Sequence, residues 1–149
     1  MGESVGRAIG GAVVGYLVLF VTIFALMSAT WFALGAAGAF EPGVWNLSAT
    51  WIATALAVAA FGGWLAGKTA NAVGGSPLAG RICAGLALAL NLVLSLPVLT
   101  GKVPPGALPR PDQLPMFEAM GHAVAPPWTA IVQPLLNAAF ALLGSRRKA

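Results

Sequence analysis

Few residues in this chain combine the type and spacing that chemistry requires. His122 and Glu118 lie four positions apart, which on a helix puts both on one face, as in helical metal motifs. Two ligands fall short of a zinc site, which normally needs three when catalytic and four when structural. Asp112 shares the segment, but no local pattern fixes it beside them, so His122 reads as a solvated loop histidine. An enzyme would have to use this Asp112, Glu118 and His122 loop. The single cysteine, Cys83, excludes an intramolecular disulfide and any Cys-x-x-Cys redox or zinc motif. It reads as a buried structural thiol. A nucleophile needs a base beside it, and the apolar stretches that make up most of the chain contain no His, Lys, Arg, Asp or Glu. The expectation is a non-enzymatic protein with no metal and no cofactor.

Polar groups inside the apolar stretches are amides rather than ions. Asn91 falls near the middle of one stretch, and Gln133 and Asn137 near the middle of another. An amide in hydrocarbon needs a partner to offset several kcal/mol of desolvation, so these three are expected to bridge helices or, in an oligomer, to line a path for a small solute. Proton relays and many transport sites rely on intramembrane ionisable residues. Small multidrug exporters, which also have four spans, carry an acid in their first helix, and the first apolar stretch here has none.

The sharpest pattern is a stripe of small residues, Ala55, Ala59, Gly63 and Gly67, at four-residue spacing. It lies on one helix face and permits close backbone approach, which drives association where lipid removes the hydrophobic effect. Gly11 and Gly15 offer a matching stripe on the first helix. Packing inside one chain is one use for these faces, and contact with another subunit is the other.

These residues must be positioned by membrane helices. Of 149 residues, 58% are hydrophobic and 8% charged, against roughly 25% charged in a soluble domain. Four apolar segments, 9–34, 47–66, 82–99 and 128–143, read as helices. The first is longer than the roughly 20 residues a span requires and too long for a signal-peptide core of about 7 to 15. Pro and Gly mark the breaks: 35–46, a polar turn from Lys68 to Arg81, and a Pro-rich extracytoplasmic loop over 101–125 that holds a short surface helix near 114–121. Pro126 and Pro127 suit a helix opening, while Pro134 should kink the fourth span. The fold class is an all-α integral membrane four-helix bundle in a single domain.

Orientation follows from Lys and Arg, which favour the cytoplasmic side. Arg7, Lys68, Arg81, Arg146, Arg147 and Lys148 share the side of the termini, against Lys102 and Arg110 on the other. Both termini are therefore expected in the cytoplasm. The same six cations serve as topology anchors or hold lipid headgroups. Scattered at helix ends, they do not form a nucleic-acid surface. Trp31, Trp45, Trp51 and Trp128 near one interface and Trp64 near the other fit aromatic belts. A faint echo, Gly6-Arg7-Ala8-Ile9-Gly10-Gly11 against Gly80-Arg81-Ile82-Cys83-Ala84-Gly85, is what two parallel-repeat helical hairpins would leave.

The glycine-rich opening of the first helix, Gly62-Gly63-Trp64-Leu65-Ala66-Gly67-Lys68 closing the second, and Pro127-Trp128 opening the fourth give the whole chain a resemblance. It resembles the small, uncharacterised four-span inner-membrane proteins common in bacterial genomes. That resemblance implies a bundle in a bacterial inner membrane and brings no activity with it. The lipid bilayer is an expected partner, and nucleic acid is not. The expected role is an accessory or scaffold subunit that associates with itself or another membrane protein through the small-residue faces, and the alternative is an oligomeric channel or facilitator for a small solute.

Overall fold

The computed structural model describes residues 2–100 and 115–146, with side chains from residue 4 onward. Lys102, Arg110 and Asp112 lie outside the described residues, as do Arg147 and Lys148. The described chain is helical: α1 Gly2–Ala39, α2 Ala49–Gly74, α3 Pro77–Leu99, a short α4 Met116–Gly121, and α5 Thr129–Gly144. The first three long helices have the length and apolar composition to cross a membrane, which makes this an integral membrane protein.

Three helix ends run well past the hydropathy reading. α1 begins near Gly2 rather than at 9, α2 continues to Gly74 rather than 66, and α3 starts at Pro77 rather than 82. Hydropathy detects the part of a helix that prefers hydrocarbon, whereas backbone hydrogen bonding continues into water until a residue stops it. Lys68 and Asn71, expected in a turn, are thus helical. The stop is Gly75, in the left-handed region at φ 70°, whose N–H caps the carbonyl of Asn71, as a C-terminal glycine does. Only Gly75 and Ser76 then separate α2 from α3, and Pro77 opens the next helix at a position that needs no N–H.

At the other end, α1 breaks at Gly35, where φ is +61°, the boundary expected near residue 34. The straight part, 2–34, is about 50 Å long at 1.5 Å per residue, well beyond a roughly 30 Å hydrocarbon core. It must tilt or project. α5 has 16 residues, about 24 Å, but its first turn is prepared by Thr129 N bonding to the carbonyl of Pro126 at 2.9 Å and Ala130 N to that of Pro127 at 3.2 Å. Pro134 sits buried inside this helix.

The four long helices pack as an up-and-down bundle, with α1 against α2 and α5 filling the space between α2 and α3. Close backbone contacts and hydrogen bonds gather the start of α1, the α2–α3 turn and the end of α5 at one end. Arg7 donates to the carbonyl of Val73 at 3.3 Å, and Asn71 Nδ2 to that of Ser145 at 2.9 Å.

The opposite end is closed by a cap that the sequence does not announce. Trp31, Phe40, Trp45, Trp51 and Ala119 form a buried cluster, with edge-to-face pairs Trp31 with Phe40, Trp31 with Trp51, and Phe40 with Trp45, ring centres 5.7 to 6.3 Å apart. This is the favoured aromatic geometry. Three of the five tryptophans expected in lipid-facing belts are therefore inside the protein; Trp64 and Trp128 stay open. Composition gives a tryptophan's depth in the membrane, and only the connections decide whether it faces lipid or protein. Here Leu47 N bonds to the carbonyl of Val124 at 3.1 Å and Val124 N to that of Trp45 at 2.8 Å, stitching the α1–α2 connection to the α4–α5 connection. Ser48 caps α2 by accepting from Trp51 N while its hydroxyl donates to the carbonyl of Gly38.

Candidate functional site

The small-residue stripe is where the helices touch. A Cβ on Gly63 would lie 2.5 Å from the carbonyl oxygen of Asn137, and one on Gly67 would overlap the carbonyl of Ala141. Ala59 is buried on the same helix, while Ala55 is half-buried on a cavity wall. The Gly63 and Gly67 face therefore holds α5 of the same chain. Gly11 and Gly15 meet a different face of α2: a Cβ on Gly11 would fall 2.5 Å from Gly74 N and 2.7 Å from the Ala70 carbonyl, and one on Gly15 2.6 Å from the Ala66 carbonyl. α2 thus carries two small-residue faces, and the second, Ala66, Ala70 and Gly74, has the same four-residue spacing in the sequence. Cys83 is 0% exposed and packs on the same seam, its Sγ 3.0 Å from the Gly15 Cβ position.

The three amides do not bridge to one another. Asn91 Nδ2 donates to the carbonyl of Ala87 at 2.6 Å, one turn back on its own helix, and Ser95 repeats the pattern on Asn91. Asn137 is 1% exposed, and its Oδ1 has no hydrogen-bond partner among the described residues. Gln133 is half-buried and shared by two cavities. One, about 300 Å³, brings Tyr16 and Asn91 together with Gln133 on a wall of Leu19, Ile23 and Phe24. The other, about 270 Å³, lies beneath the aromatic cap between Trp51, Ala55, Met116, Met120 and Thr129. Met27 and Met116 line both. Apolar walls with a few polar groups are the usual make-up of a small-molecule pocket, and methionine gives such walls adaptability.

His122 and Glu118 lie on α4 and at its cap, both exposed. The imidazole stacks obliquely on Trp45 at 4.9 Å. Among the described residues no three His, Cys, Asp or Glu side chains gather as a metal site.

At the end that holds the start of α1 and the α2–α3 turn, an open groove of about 800 Å³ lies between α2 and the end of α5, lined by Trp64, Lys68, Asn71, Gly75, Gly144 and Arg146. Lys68 Nζ stands 5.0 Å over the Trp64 ring, a cation–π distance. Arg7 lies beside Gly75, its guanidinium carbon 3.5 Å from the Cβ position there. Arg81 is exposed on the second turn of α3 and does not line the groove.

Compared with protein-family models, curated proteins and solved structures, the chain matches none.

Proposed function

We propose that this chain is a non-enzymatic four-span protein of a bacterial inner membrane, with both termini in the cytoplasm, that serves as an accessory or scaffold subunit beside another membrane protein. The observation that carries the reading is a division of labour among its surfaces. The glycine and alanine faces close the bundle on itself, while α1 and α4 present an ordered aromatic row outward. Phe20, Phe24 and Phe117 stack in succession with ring centres 6.5 and 6.1 Å apart, and Phe20 and Phe117 are 63% and 72% exposed. Partner contact, expected from the sequence at the small-residue stripe, is therefore assigned to this bulky row. Native mass spectrometry of particles extracted from the source membrane in a mild detergent tests the reading. A co-purifying protein that is lost in the Phe20→Ala, Phe117→Ala double variant, with melting unchanged, supports it; a bare monomer from the wild type sinks it.

A second reading, a facilitator for a small solute, is favoured by one observation: Tyr16, Asn91 and Gln133, from three of the long helices, share a cavity. Liposomes that carry the protein should then pass small polar solutes faster than liposomes that carry Asn91→Leu. Equal rates exclude it.

A further inference from the structure

We propose that the groove between α2 and the end of α5 binds a phosphate anion, in the form of a phospholipid headgroup or free phosphate. Its cations stand on fixed points of the chain. Asn71 Nδ2 bonds to the carbonyl of Ser145 at 2.9 Å, Ser145 is buried against Gly80, and Gly144 sits on the backbone of Trp64. The chain leaving α5 is thereby fixed between α2 and α3, and Arg146 emerges from that fixed point, with its N–H bonded to the carbonyl of Leu143 at 3.2 Å. Across the groove, Trp64 holds the Lys68 ammonium over its ring.

The electrostatics favour an anion. None of the lining residues is acidic. The C-termini of α2 and α5 contribute about half a negative charge each, against full positive charges on Lys68 and Arg146, with Arg7 adding a third at Gly75. The groove stays net positive. Trp64, Ala72 and Leu143 supply an apolar wall at the ends of spanning helices, where a headgroup gives way to its glycerol and chains. Basic pockets between helix ends are suited to such headgroups.

The test uses the full chain in nanodiscs of equal phosphatidylglycerol and phosphatidylcholine, then transfer to mild detergent and native mass spectrometry of retained lipid. A parallel arm adds inorganic phosphate to detergent-purified protein and follows the melting temperature. The wild type should retain phosphatidylglycerol preferentially, and the Lys68→Gln, Arg146→Gln double variant should lose that preference by about 30-fold, the loss of two headgroup cations. Arg81→Gln removes an exposed cation outside the groove and should retain it. Stabilisation by phosphate that the double variant alone abolishes, without lipid preference, identifies free phosphate as the ligand of the same site. Equal losses in the double variant and Arg81→Gln, or no difference from wild type in either arm, overturn the proposal.

Discussion

Gly67 of α2 and Ala141 of α5 approach so closely that a single methyl group on the glycine would overlap the alanine's carbonyl oxygen. The obstacle is backbone, which cannot rotate away as a side chain can. Contacts of this kind join α2 to both α1 and α5 and make the helix-to-helix spacing a property of particular glycines.

Gly67→Ala is expected to separate α2 from α5 and destabilise the bundle by about 1 to 3 kcal/mol, the usual cost of overpacking. Gly85→Ala is the matched control: nothing lies within 4 Å of its Cβ position, and alanine is the better helix former by about 1 kcal/mol. Thermal unfolding in detergent should show the first variant melting lower and the second unchanged or higher. Similar behaviour of the two would refute close packing at Gly67.

Gly75 sets the α2–α3 turn at a positive φ. Gly75→Ala keeps the length of the turn but forces an L side chain into the left-handed region, which costs about 1 to 2 kcal/mol. Its melting temperature should fall although the site is at a surface, and Gly10→Ala, with open space around a helical glycine, should show no such fall.

Asn137 is buried, and its carbonyl oxygen has no hydrogen-bond partner among the described residues, a group that costs about 1 to 3 kcal/mol when left unsatisfied. Asn137→Leu, similar in volume and free of polar atoms, should leave stability unchanged or raise it. A clear drop in melting would instead show that a partner in the membrane completes this amide.

Cys83 is sealed on the α1–α2–α3 seam beside Gly15. A maleimide reagent should fail to label it in the folded protein and should label it fully once the bundle is unfolded. Rapid labelling under native conditions would contradict the packing of α3 against α1.

Trp31 touches both Phe40 and Trp51 at the centre of the cap. Trp31→Ala should cost about 3 to 5 kcal/mol and remove much of the near-ultraviolet circular dichroism that ordered aromatic rings produce. Trp128→Ala, at an exposed position, should leave both nearly unchanged.

The sequence alone determined that the chain is helical, that it belongs in a membrane and roughly where each apolar helix runs, because the cost of placing polar groups in hydrocarbon leaves little freedom over some 20 residues. It also determined that Gly63 and Gly67 form a contact face, since a four-residue spacing of small side chains has one geometric meaning on a helix. It did not determine what that face touches. The partners of Gly63, Gly11 and Cys83 follow from how four helices cross, which is set by all their surfaces together. The helix ends near Gly74 and Pro77 were hidden because hydropathy reports affinity for lipid and not hydrogen bonding beyond it. The partners of the amides are not legible in the sequence: Asn91 turns back to Ala87 on its own helix, a choice of rotamer that spacing does not encode. The burial of Trp31, Trp45 and Trp51, and the placing of Lys68 and Arg146 on one groove, were decided only by the tertiary structure. The cap is tied to the α4–α5 connection by the backbone bonds of Leu47 and Val124, which carry no signature of residue type, and the groove by the Asn71 side chain on the distant Ser145 carbonyl, a pairing that spacing does not announce.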